Sequence, residues 1–378
     1  MSYTFELGPI RPPSEAKSIL LRVTRNCPWN KCTFCHTYKN ERFSRREKSE
    51  ILEDVDAIHE IAQRIVQEAQ KPQFNGLISE TVIRNAKGLD DTPDYYYRQV
   101  AFWLHHGMKS LFLQDANSLI LNTADLSEII RYVKTKFPTL ERITTYARSK
   151  TASKKTLEEL KQLREAGLTR IHIGLESGSD KVLEFVKKGV TAEEHIRAGQ
   201  NIMKAGFDLS EYYMPGLGGK ELIEENANES ARVLNSINPT FIRIRSTVPI
   251  PGTPLFEAME EKRWIPTTEE ERVRELKLFI QNLDSITSTL LSDHIMNLLE
   301  DVEGKLPRDK NKMIDTIDSF LTMDEEDREN FIIGRRLGQF RFLSDYYKNA
   351  EIEKLRERLK ARFESVDEAV MEILKNYI

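Results

Sequence analysis

All three cysteines of this 378-residue chain fall in one short stretch, "RNCPWNKCTFCHTYK" at residues 25–39, as Cys27, Cys32 and Cys35. Thiolates are the metal-binding form of cysteine, and sets of them select zinc or iron–sulfur clusters. A structural zinc site is closed by four ligands. His36 is the available fourth, but it directly follows Cys35, an awkward position from which to reach the same metal. A 4Fe–4S cluster usually takes four cysteines. Three leave one iron open, and an open coordination position is where a metal does chemistry. Clustered thiols with no disulfide partner elsewhere fit a reducing compartment, so the chain is expected in the cytoplasm.

Such a loop needs elements to hold it. "SILLRVTRN" (18–26) is a β-rich apolar run that ends just before the cysteines, and a charged helix is expected from about Ser44 to Ala69. The alternation then continues. Strands are read at 110–115, 142–148, 170–177, 207–216 and 241–249. Helices are read between them, two closed by Gly167 and Gly206. Short apolar strands alternating with capped helices mean β/α units around a parallel sheet. The fold class is α/β, and six units either close partly into a barrel or open into a doubly wound sheet. In both cases the working site lies at the carboxyl ends of the strands. The domain reading is an N-terminal segment 1–17, a core 18–264 with an insertion at 71–107, and a helical region 265–378.

Composition narrows the function. The 56 basic and 60 acidic residues nearly balance, for a net charge of −4. That predicts no electrostatic nucleic-acid binder, so nucleic acid is an unexpected partner and a small-molecule substrate the expected one. No apolar run approaches a membrane span, and the N-terminus lacks the features of a signal peptide.

The cysteine loop after the first strand resembles the signature of radical S-adenosylmethionine (SAM) enzymes. The resemblance extends over roughly residues 18–255. "IHIGLESGSDKVLEFVKKGVTAEEHIRAGQNIMKAGFD" and "YYMPGLGG" are similar to the branch containing oxygen-independent coproporphyrinogen oxidase, the methylthiotransferases and the Elongator catalytic subunit. The resemblance implies a partial (β/α)6 TIM-like barrel with a C-terminal helical extension covering the barrel mouth. It implies a 4Fe–4S cluster held by Cys27, Cys32 and Cys35, with SAM chelating the open iron. Reductive cleavage of SAM to a 5′-deoxyadenosyl radical would follow, with an electron donor such as flavodoxin or ferredoxin. The spacing departs from the usual pattern: "CPWNKC" holds four residues between the first two cysteines.

Individual roles follow from the same resemblance. Phe34 matches the aromatic near the adenine, Glu176 the polar residue that meets the ribose hydroxyls, and Lys188 the base on the methionine carboxylate. "LQDANSL" stands where a Gly-Gly-Glu-like segment would meet the SAM amine, so Gln114, Asp115 or Asn117 supplies that acceptor. Arg148 ends the third strand and Arg245 points from the sixth, and both join the cofactor-binding candidates. No thiol is left for an auxiliary cluster or a cysteine hydrogen donor, which makes tyrosines such as Tyr213 the available donors. Asp293, His294 and Asn297 are expected on adjacent turns of a helix, with Asp293 orienting His294 as a base toward substrate. A coproporphyrinogen-oxidase-like decarboxylase is the nearest named alternative. It is weakened by the missing extra cysteine and glycine-rich segment. A zinc-stabilised barrel acting as a binding module is the alternative from another class.

Overall fold

The apolar runs form strands because their side chains are buried on both faces of a parallel sheet. The computed structural model describes residues 2–374. It divides into two compact units, Met1–Pro28, Asn40–His172 and Lys204–Asp208 in the first, and Trp29–Lys39, Ile173–Met203 and Leu209–Ile378 in the second. The chain first crosses from one to the other inside the cysteine loop.

In the first unit β1 (Ile19–Arg22), β2 (Ser110–Gln114) and β3 (Arg142–Ala147) run parallel. Leu20 lies opposite Phe112, and Phe112 opposite Thr144. Helix α1 (Lys48–Ala69) buries Ile51, Val55, Ile58, Ala62 and Ile65, a three-and-four spacing that makes one apolar stripe. It starts later than expected, because Ser44–Arg45 pairs with Thr24–Arg25 as a small antiparallel ribbon. A Glu47–Glu50 capping box then opens the helix.

The insertion holds α2 (Glu80–Lys87) and α3 (Asp94–His105). Phe5 of the N-terminal segment meets Tyr96 at 4.8 Å and Trp103 at 5.7 Å between ring centres, so that segment docks on the insertion. Helices α4 (Thr123–Lys136) and α5 (Leu157–Ala166) begin at the side-chain caps Asn122 and Thr156.

Strand β4 (Arg170–Glu176) carries the chain across the unit boundary. Then follow α6 (Asp180–Phe185), α7 (Ala192–Lys204), β5 (Asp208–Tyr213), α8 (Ile223–Ile237), β6 (Phe241–Ile244), α9 (Pro254–Glu260) and α10 (Glu269–Gln281). In chain order these complete six β/α units, and the fold is α/β of the partial (β/α)6 TIM-like kind.

The C-terminal region is mostly helical but not wholly so. Strand β7 (Thr289–Leu291) runs parallel to β6, with Ile242 opposite Leu290, and β8 (Gly304–Lys305) pairs antiparallel with β7. Residues 292–297 form an irregular loop rather than the expected helix. The apolar residues Met296, Leu298 and Leu299 are buried there without helical hydrogen bonding. Helices α11 (Lys310–Leu321), α12 (Glu325–Arg336), α13 (Ala350–Arg362) and α14 (Val366–Leu374) follow. No helix among the described residues is long and apolar enough to cross a membrane.

Candidate active site

The cysteine loop is fixed from both units, each through its own residues. In the first, Asp115 follows β2 and is fully buried. Its Oδ2 accepts from Nε of Arg22 and from the amide of Asn26, both at 2.8 Å. Asp115 (φ 70°) and Asn26 (φ 67°) both adopt the left-handed conformation, uncommon outside glycine. Asp115 therefore holds the backbone immediately before Cys27. Gln114 is engaged otherwise: Oε1 accepts from the Gly8 amide at 2.9 Å, and Nε2 donates to the carbonyls of Gly8 and Ile10. It anchors the N-terminal segment. Asn117 accepts from the amide of Arg148 at 3.1 Å and donates to Thr151 at 2.8 Å.

In the second unit the rest of the loop is pinned by aromatics. Nε1 of Trp29 donates to the Lys187 carbonyl at 2.7 Å. A Cβ on Gly189 would stand 2.3 Å from that indole, so glycine is required there. The Thr33 amide donates to the Val186 carbonyl at 2.9 Å. Phe34 packs against the cluster of Val182, Val186, Met214, Leu217, Leu255 and Trp264.

The three cysteines are half-buried and form no disulfide. Among the described residues no three His, Cys, Asp or Glu side chains stand together as a metal-ion site. The thiols' role as ligands thus rests on their chemistry and on the family relationship below.

Within the second unit the predicted Glu176 and Lys188 come together. Lys188 donates to Oε1 of Glu176 at 2.8 Å, with both side chains 13% exposed. Its Nζ also lies 5.8 Å from the centre of the Phe34 ring, within cation–π range. Glu176 ends β4 in the left-handed conformation, φ 64°. A non-glycine residue held there is a strain that marks functional positions. A Cβ on Gly174 would fall 2.0 Å from the same Oε1, so the pair sits in a cradle that only glycine leaves open.

Glu211 was not foreseen. It is fully buried on β5, and neither carboxyl oxygen has a hydrogen-bond partner. Burial, and then the charge of Glu176, push its carboxyl well above the usual range, against the opposing pull of Lys188. A lone glutamate inside the strand "FDLSEYYMPG" was the available signal.

The remaining candidates have other engagements. Tyr213 is fully buried, stacked on Phe279 at 4.1 Å, and donates to Glu275 at 2.8 Å. This is a structural use rather than the expected one of donating hydrogen to substrate. Asp293 pairs with Arg243 instead of orienting His294. Asn297 ties the loop down by accepting from the Ser246 amide at 2.9 Å and donating to the Ile244 carbonyl at 2.9 Å. His294 accepts the Met296 amide at Nδ1, 3.2 Å away, which leaves its neutral proton on Nε2. Burial and the charge of Arg245 lower its pKa to about 4. At neutral pH it is a hydrogen-bond donor more than a base.

A Radical SAM superfamily model matches residues 21–227, more than half of the chain. The chain belongs to the radical SAM superfamily. Its cofactors are a 4Fe–4S cluster and SAM. The tRNA uridine(34) acetyltransferase of Methanocaldococcus jannaschii is 28% identical over 117 residues, 31% of this chain and 22% of that protein. The tRNA-2-methylthio-N(6)-dimethylallyladenosine synthase of Ehrlichia chaffeensis is 27% identical over 135 residues, 35% of this chain and 30% of that protein. The match therefore spans only about a quarter of these relatives' lengths. Both are named for tRNA modifications, so the expectation against nucleic acid gains no support from them. Coproporphyrinogen III oxidase from Escherichia coli aligns over 70% of this chain and 52% of its own, at 16% identity and a TM-score of 0.43.

The residues present fit the radical SAM cofactors. Three half-buried thiols without disulfides suit iron. The exposed edge of the Glu176–Lys188 pair offers an acceptor for hydroxyls and a cation for a carboxylate.

Proposed function

We propose that this radical SAM enzyme abstracts a hydrogen atom from a small-molecule substrate, in an oxidoreductase- or lyase-type reaction in the cytoplasm. A 4Fe–4S cluster held in the cysteine loop would supply the electron for reductive cleavage of bound SAM to a 5′-deoxyadenosyl radical. Cys27, Cys32 and Cys35 are its ligands. Asp115 orders the backbone entering the loop. Glu176 accepts hydrogen bonds from the ribose hydroxyls, Lys188 faces the methionine carboxylate, and Phe34 flanks the adenine. The C-terminal region shields the site from solvent, and flavodoxin or ferredoxin delivers the electron.

The observation that carries this reading is the Glu176–Lys188 pair held beside the Phe34 ring. Anaerobic reconstitution tests it. The protein should take up about four irons per chain, and the reduced protein with SAM should yield 5′-deoxyadenosine. A colourless protein holding zinc would support the binding-module alternative instead.

A second reading, action on tRNA, is favoured by the names of the two curated relatives. Binding of bulk tRNA with a steep salt dependence would support it over a small-molecule substrate.

A further inference from the structure

Just past β6 an unpaired cation faces the 292–297 loop. Arg245 is exposed, and its guanidinium makes no ion pair or side-chain hydrogen bond among the described residues. Two staples hold the loop alongside it. Arg243, two residues before, pairs with Asp293. Ser246, the next residue, donates its amide to Asn297 at 2.9 Å. His294 lies between the stapled positions, so it is held next to Arg245. The pairing also commits Asp293, the carboxylate next to His294 in the chain, to Arg243. His294 keeps Nδ1 on the Met296 amide and presents Nε2–H. Two hydrogen-bond donors thus lie together where, among the described residues, no acceptor meets the guanidinium.

We propose that Arg245 and His294 form a recognition site for an anionic group of the substrate, a carboxylate or a phosphate. Planar guanidinium pairs with both in bidentate fashion, and a neutral imidazole adds a donor without a competing charge. The inference rests on the radical SAM reading above only for calling the ligand a substrate. Arg245 was a cofactor-binding candidate by sequence; here it takes a different ligand. The site also gives the C-terminal region a function, since His294 reaches it only through the loop that follows β7.

Equilibrium dialysis of the reconstituted, SAM-loaded enzyme with labelled inorganic phosphate, and separately with acetate, tests this. Wild type should bind one of the two saturably. Arg245→Ala should weaken that binding roughly ten-fold or more, and His294→Ala should weaken it less. Preference for phosphate identifies a phosphorylated substrate, and preference for acetate a carboxylic one. Arg263→Ala removes an exposed arginine from the same unit and should leave anion binding unchanged. The proposal is overturned if neither anion binds saturably, if Arg245→Ala binds like wild type, or if Arg263→Ala loses as much. The two readings fail separately. Wild-type enzyme that binds the anion but forms no 5′-deoxyadenosine overturns the proposed function. Enzyme that forms it while Arg245→Ala binds the anion normally overturns this site alone.

Discussion

Lys188 places its ammonium 2.8 Å from Oε1 of Glu176. The charge is claimed from a second side as well, because Glu211 lies fully buried nearby with both carboxyl oxygens unpartnered. One ammonium cannot neutralise two buried carboxylates, and an unpaired charge in the interior is far costlier than a proton on the group. Glu211 is therefore the neutral member of the three.

A neutral Glu211 bears on SAM binding. With Lys188 facing the ligand's carboxylate and Glu176 its hydroxyls, the ammonium stays committed and Glu211 keeps its proton. Calorimetry of SAM binding in two buffers of different ionisation enthalpy should register no proton release from this site at pH 7. Glu211→Gln, which keeps the neutral shape, should bind SAM as wild type does. Release of about one proton in wild type that disappears in Glu211→Gln would show that Glu211 ionises in the complex and overturn this assignment.

Gly174→Ala tests the cradle. Its new Cβ would approach Oε1 of Glu176 to 2.0 Å, a distance that forces the carboxylate aside and breaks its contact with Lys188. SAM affinity should fall by roughly ten-fold or more, the equivalent of one charge-assisted hydrogen bond. Iron content should stay at the wild-type level. SAM titrations followed by the EPR signal of the reduced cluster would show this, and an unchanged dissociation constant would remove the pair from the SAM site.

Glu275 gives the second unit a pH-dependent stability. It is fully buried, accepts from Tyr213, the Gly216 amide and Asn226, and is pushed up to about 7, by burial above all. Its folded pKa exceeds the ordinary 4.5. Its contribution to stability is therefore fully present below pH 4.5 and is lost as pH rises through 7. The loss is on the order of 3 kcal/mol. Denaturant midpoints measured between pH 5 and 8 should fall with pH, and Glu275→Gln should flatten that slope. A slope unchanged in the variant would place the titration elsewhere.

The strands and helices were legible in the sequence because each carries its own signal: Thr156 and Gly167 bound α5, and α1 shows an unbroken apolar stripe. The loop at 292–297 was not. Met296, Leu298 and Leu299 mimic a helical face, yet a three-residue strand and the side-chain bonds of Asn297 fix the backbone, and neither leaves a periodicity. Glu176 and Lys188, twelve residues apart in sequence, were singled out only through a family resemblance, and nothing in the sequence itself signals that they pair. Glu211 left only a weak signal, because a single glutamate in a strand reads first as solvent-facing. Gln114 ends β2 and Asp115 follows it, but sequence could not tell which one holds the N-terminal segment and which the cysteine loop.

The last two residues separate cleanly by mutation. Asp115 binds the Asn26 amide and Arg22 with the same oxygen, so it fixes both the strand end and the backbone that leads into Cys27. Asp115→Asn keeps the shape but removes the charge, and each charge-assisted bond so weakened costs about 1.5–3 kcal/mol. The fold retains its strands, while the entry to the cysteine loop loosens. Iron retained after anaerobic desalting should drop below wild type, and the cluster should bleach faster in air. Gln114→Ala is the control. It releases Gly8 and Ile10 of the N-terminal segment, so it should lower the melting temperature while leaving iron per chain unchanged. Cys32→Ala sets the floor for both, because two thiolates cannot retain the cluster. If Asp115→Asn keeps wild-type iron and wild-type stability in air, the left-handed turn at Asn26 is held by the chain itself, and Asp115 serves only to neutralise Arg22.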